Sequence, residues 1–201
     1  YLTIKTVPQQ ESHMDARFGL FVIIVLGEAI IAVASGVADT SWQWRNVLTA
    51  TGGFIAAVSL WWMYFERSEE STINQALGGG KMALFRSYIY GYSHLFTFMG
   101  IVATGVGIQF AIEAASGEVF SLPMRTALCG GVAVFLSGTT ILQWASPSCL
   151  PGRAIGMRVA LTLFSLLLIP FGMAIAPSAL VVLLARLLVG VNKFDGVPVR
   201  A

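Results

Sequence analysis

Two ionisable residues stand inside apolar stretches: Glu28 in RFGLFVIIVLGEAIIAV (residues 17–33) and His94 in YSHLFTFMG (residues 92–100). A charge at the centre of a membrane helix costs at least about 2.5–3.5 kcal/mol, so such a group faces a partner, faces water or stays neutral. Glu28 follows Arg17 by 11 residues, about 16 Å of helix, and His94 follows Ser87 by about 10 Å, so their depths are expected to differ by only about 6 Å. At that separation an acid and an imidazole can meet directly or through water. They could then exchange a proton or pass a cation. Tyr90 and Thr97, at i−4 and i+3 from His94, add hydroxyls, and the same helix stripe is expected to run through Gln109 towards Glu113. Small Ala32 and Ser35, near Glu28 on its helix, predict that this carboxylate faces inward against another helix. The structural alternatives are equally concrete: Glu28 bound to a serine or a backbone carbonyl, and His94 capping a neighbouring helix.

A second group of candidates lies near the ends of apolar runs. His13, Asp15 and Arg17 precede the first run, and Glu66 follows WWMYF with Arg67 beside it, an interfacial ion pair in the simplest reading. His13 and Asp15 could join a distant carboxylate on a divalent ion, but there is no HExxH spacing, so no metal is expected. GGGK (residues 78–81) lacks the spacing and hydroxyl of a phosphate loop, there is no GxSxG, and neither Cys129 nor Cys149 has a histidine nearby in sequence. No cofactor and no catalytic residue is expected from these motifs, and an enzyme is the less favoured reading.

The elements that must position Glu28 and His94 follow from composition. Of 201 residues 56% are hydrophobic and 11% charged, against roughly 25% charged in a soluble domain, so the chain cannot cover itself with polar groups. A lipid bilayer solvates the excess. Six apolar segments predict an all-α, polytopic transmembrane bundle in one domain, 1–201, with spans near 17–37, 46–65, 87–112, 124–145, 158–176 and 178–192. The sixth is short, about 22 Å, and carries Arg186. With the N-terminus cytoplasmic, the inner segments hold Lys5, Arg17, Arg67, Lys81, Arg86, Arg153, Arg158, Lys193 and Arg200, and the outer loops hold Arg45 and Arg125. This asymmetry supports both the span count and the orientation. Trp42, Trp44, Trp61 and Trp62 bracket the second span as interfacial anchors, and Pro170 is expected to kink the fifth. Residues 66–86 form the longest polar link, where a short amphipathic helix is expected before the glycine run. The net charge of +2 and the absence of a basic cluster argue against nucleic acid.

The ordered motifs HMDARFGLFVIIVLGEAIIAV, WWMYFE and YSHLFTFMGIVATGVGIQFAI resemble the bacterial low temperature requirement A (LtrA) family over about residues 11–115. The resemblance implies a multi-pass protein of the bacterial inner membrane and carries no catalytic residues over. Family members begin with further spans bearing an ELFFDLVFV-like motif. This chain is therefore expected to represent the later half, with the missing half or a second copy as partner besides the bilayer. It departs from the family pattern at Ala16, Phe96 and Gln109, where an acidic residue, a proline and an acidic residue are usual. The expected function is movement or sensing of an ion, proton or small solute through the Glu28/His94 pair. The rivals are a membrane-embedded enzyme acting on a lipid-like substrate and a non-catalytic assembly or membrane-adaptation protein. A reporter active only outside the cytoplasm should be active when fused between Val119 and Phe120 and silent when fused after Gly80; the reverse pattern would overturn the orientation.

Overall fold

The computed structural model describes residues 14–38, 43–66, 80–115, 117, 119–145 and 151–195. Among them every regular element is helical. In chain order α1 is Met14–Ala38, α2 Trp44–Phe65, α3 Gly80–Ala115, α4 Leu122–Ala145, α5 Gly152–Phe171 and α6 Pro177–Asp195. The first five contain stretches long and apolar enough to cross a bilayer. The sixth has 19 residues, about 28 Å, and packs on α2 while Arg186 points outward. The expected count of six spans is thus close, with five clear ones.

Aliphatic and aromatic side chains face outward all around the bundle, Ile24 and Leu163 being 68% and 62% exposed. That surface suits lipid tails and no aqueous one. Trp44, Trp61 and Trp62 are also exposed, and the Arg45 guanidinium lies 5.5 Å from the Trp44 ring centroid. Exposure at the two ends of α2 is what interfacial anchors require. The GGG-bearing link at 67–79, Cys149 and Trp42 fall outside the described residues.

Helix α3 is the hub, packing on α1, α2, α4 and α6. Its partners approach through glycine. A Cβ on Gly100 would strike the Phe135 backbone, one on Gly107 the Leu128 backbone, and one on Gly131 the backbone of Thr104. A Cβ on Gly138 would likewise come within 2.8 Å of the Thr97 nitrogen. These pairs align α3 and α4 antiparallel, backbone against backbone, as small residues permit in lipid, where tails compete equally for apolar side chains. Within α4 a single π turn, Thr126–Gly130, carries Leu128 onto Gly107. On the other side of α3, Gly105 meets Ala29 and Gly36 meets Ile112, which sets α1 parallel to α3.

Several boundaries differ from those that hydropathy predicts. Helix α3 starts at Gly80, seven residues before the expected 87, because a helix continues past the point where its residues cease to be apolar. Pro170, expected to kink the fifth span, falls near the end of α5. It lies one residue before the helix end at Phe171 and hands over to a 3-10 turn, Gly172–Ala174. Arg125 and Arg158, expected in a loop and at a cytoplasmic edge, are buried within helices at 3% and 1% exposure.

Replacing Gly100 with Val should destabilise the bundle by about 1–3 kcal/mol or more, as overpacking does. Gly91→Ala, where nothing lies within 4 Å of the added carbon, should be neutral or gain up to about 1 kcal/mol. Denaturation in mixed micelles checks both.

Candidate functional site

The buried polar centre of the bundle is His94, 1% exposed. Its Nδ1 lies 2.8 Å from the Tyr90 carbonyl oxygen and its Nε2 lies 3.1 Å from the Tyr64 hydroxyl. A carbonyl only accepts, so Nδ1 carries a proton in both charge states. In the neutral ring, Nε2 accepts from the Tyr64 O–H; in the imidazolium, Nε2–H donates to the same oxygen. Gaining a proton at His94 therefore reverses one hydrogen bond between α2 and α3.

Aromatic rings enclose this imidazole. Phe18 stacks on it at 4.1 Å between centroids and 14° between planes, Tyr90 meets it edge-on at 4.8 Å, and Tyr64 and Phe98 lie at 5.9 Å. The Phe18 ring face can attract a cation as well as fill space. The neighbouring hydroxyls are spent locally: Ser93 donates to the Tyr90 carbonyl at 2.8 Å and Thr97 to the Ser93 carbonyl at 3.0 Å. Thr97 accordingly serves packing against Gly138 and is not a link in a chain of exchangeable hydrogen bonds.

Glu28 is elsewhere. The contacts Phe18–His94, Ala29–Gly105 and Gly36–Ile112 each pair residues 76 apart in number, which puts Glu28 level with Thr104. That is ten residues, about 15 Å, further along the bundle than His94. The expected depth difference of about 6 Å fails because Arg17 and Ser87 were set level, whereas glycine packing slides α3 relative to α1. Glu28 also faces outward, exposed together with Ile24, Ile31 and Ser35, while Val25, Ala29 and Ala32 face the core. The expected inward orientation holds for Ala32 and fails for Glu28 and Ser35. No hydrogen bond or ion pair holds Glu28 among the described residues.

Gln109 and Glu113 form their own pair near the far end of α3, with Gln109 Nε2 donating to Glu113 Oε1 at 3.0 Å. Between them and His94 the buried face of α3 carries Ile101, Gly105 and Ile108, with Thr104 beside them donating its hydroxyl to the Gly100 carbonyl of its own helix. The polar stripe expected along α3 is thus two separate centres. Glu66 accepts a hydrogen bond from Trp62 Nε1 at 2.9 Å, while Arg67, its expected ion-pair partner, lies outside the described residues. Arg17 is exposed, His13 falls outside the described residues, and so does the side chain of Asp15 on the first turn of α1. Among the described residues no group of three or more His, Cys, Asp or Glu could hold a metal ion.

Two features of the site escaped the sequence reading. Tyr64 and Phe18 complete the His94 cage, and nothing in WWMYF or RFGLF sets them apart from their aromatic neighbours. A further buried centre joins α4 to α5, where Arg158 Nη1 lies 3.5 Å from Thr139 Oγ1, with buried Gln143 and Ser165 on the same pair of helices. The arginines in sequence signalled topology, and only their burial distinguishes them.

Comparison with known families matches residues 2–192 to the bacterial low temperature requirement A protein (LtrA) family. The chain belongs to that family. A curated relative, uncharacterized protein RA0937 of Rhizobium meliloti (strain 1021), is 29% identical over 167 residues, covering 83% of this chain. The chain spans about 40% of that relative's length. No solved structure matches it. A double-mutant cycle of Tyr64→Phe and His94→Phe should give a coupling near the membrane average of about 0.6 kcal/mol and below about 1.7 kcal/mol; a coupling of zero would mean that the two groups do not interact.

Proposed function

We propose that this LtrA-family membrane protein senses or moves a proton, or a small solute coupled to one, in the bacterial inner membrane, with His94 as the exchanging group. The hydrogen bond between His94 Nε2 and the Tyr64 hydroxyl, whose direction protonation would reverse, is the observation that supports this reading. It ties a charge change to the contact between two helices that also pack in the core, which is what a switch requires. The face of α3 beyond His94 favours sensing over conduction through this bundle alone, because its buried hydroxyl past Ile101, Thr104, is bonded to the Gly100 carbonyl of its own helix and its neighbours Gly105 and Ile108 are apolar.

In the same reading Glu28 acts from outside the bundle. A carboxylate on a lipid-facing surface at that depth is costly, and a neighbouring segment that offers it a donor removes the cost. The longer span of the relative and the possibility of a second copy supply two sources for such a segment. Glu28 and His94 would then be two coupled sites and not one pair.

The chain has two histidines, so with His13→Asn and 15N-labelled histidine a nuclear magnetic resonance titration reports His94 alone. Reversible protonation is expected, with a midpoint that moves in Tyr64→Phe. A ring that remains neutral at every pH where the protein is folded would sink the proposal. Cysteines at Ile24 and Ile31, flanking Glu28 on the exposed face, should cross-link to a neighbouring segment in membranes, and Glu28→Gln should lower that yield.

A further inference from the structure

Glu28 is matched on the lipid-facing surface by a residue of opposite charge. Arg186 stands at the middle of α6, about 14 Å from either end, and is exposed. No hydrogen bond or ion pair holds either side chain among the described residues. Each is costly in hydrocarbon by itself.

The registers of α1 and α6 on α2 fix the relative depth of the two charges. Gly19 lies against Phe65 and Val33 against Gly53, so α1 runs antiparallel to α2 and Glu28 stands level with about Ala57. Gly52 lies against Val181 and Val182, and Asn192 donates to the Ser59 carbonyl, so α6 runs parallel to α2 and Arg186 stands level with about Ile55. Two residues of helix are about 3 Å. Carboxylate and guanidinium therefore lie at nearly one depth, on antiparallel helices. They do not pair within one chain. Val33 faces α2, and Glu28, five residues earlier, is turned about 140° round α1 from it. It points away from α2 and from α6, which packs on α2.

We infer that Glu28 of one copy pairs with Arg186 of a second copy, with α1 of the first lying antiparallel against α6 of the next. This rests on the reading that Glu28 meets a segment outside its own bundle, and it names that segment. Copies inserted the same way up keep both charges at one depth, so the pair forms without shifting either bundle. A guanidinium opposite a carboxylate makes two parallel hydrogen bonds, and the low dielectric of lipid strengthens the attraction. Gly190, one turn from Arg186, has nothing within 4 Å of an added Cβ, which lets the neighbouring α1 approach closely. Because the two faces belong to different helices, the contact is head-to-tail, and each added copy offers a further Glu28 or Arg186 until a ring closes.

The test is disulfide cross-linking in bacterial membranes between two differently tagged copies of the full chain, each with Cys129→Ala and Cys149→Ala. Antiparallel pairing sets Ile24 opposite Gly190 and Ile31 opposite Leu183. Ile24→Cys in one copy should therefore bond to Gly190→Cys in the other, and Ile31→Cys to Leu183→Cys. The crossed combination, Ile24→Cys with Leu183→Cys, is about 10 Å out of register, beyond disulfide reach, and should give only background. Glu28→Arg in the first copy, or Arg186→Glu in the second, should lower the matched yield at least about threefold, the factor of an average polar contact between membrane helices. Placed together, one in each copy, they form an ion pair of reversed sense and should restore the yield, which variants that failed to fold could not do. Equal yields from matched and crossed pairs, a yield indifferent to Glu28→Arg, or no recovery in the combined variants overturns the proposal. Cross-linking of Ile24→Cys to some segment other than a second copy overturns the assignment to Arg186 while the reading of Glu28 above stands, and the His94 titration is independent of both.

Discussion

Close backbone approach along α3 is the constraint on which the remaining features depend. Lipid tails solvate leucine as well as another helix does, so apolar side chains by themselves supply little reason for one helix to choose another. Glycine removes the Cβ that would hold two backbones apart and lets many weak contacts form at once. Gly100, Gly107, Gly131 and Gly138 place α4 on one flank of α3, and Gly105 and Gly36 place α1 on another. Each pair also sets a register. That register brings Phe18 over the His94 ring and leaves Glu28 about 15 Å away on the outside.

The polar groups inside the bundle obey the rule that nothing buried in lipid goes unsatisfied cheaply. Thr49, Ser59 and Thr104 bond to carbonyls one turn back on their own helices, so these hydroxyls add no affinity for a partner. His94 is different because one of its two nitrogens reaches across to another helix. Arg125 is different in the opposite sense: it is buried with Nε and Nη1 lacking hydrogen-bond partners, in the first turn of α4 beside the 3-10 turn that follows α5. Polar residues that bridge elements carry information about arrangement, whereas those that fold back on their own helix do not.

Much of the architecture was legible because hydropathy and charge placement are local quantities. Apolar runs located the helices to within a few residues at most ends, and the tryptophans marked where α2 meets the interface. His94 and Glu28 stood out because ionisable groups in apolar runs are rare. Their relation to one another was misjudged for a definable reason. Depth was measured from the first polar residue of each run, but α3 extends about two turns past that residue, so equal counting does not give equal height. Tyr64 was overlooked because an aromatic next to two tryptophans has the composition of an interfacial belt, and composition does not tell which ring turns inward.

The amino-acid sequence by itself determined that this polypeptide is a membrane-embedded helical protein of the LtrA family, since lipid solvation and family motifs are properties of residue types in order. Tertiary structure alone decided which polar groups meet. His94 joined Tyr64 and the Tyr90 carbonyl, while Glu28 was left on the surface. The physical reason is that helix register and rotation arise from shape fits between residues distant in the chain, such as Ala29 on Gly105. A pattern along one helix records which face is apolar, but in a bilayer both the core face and the lipid face satisfy that description.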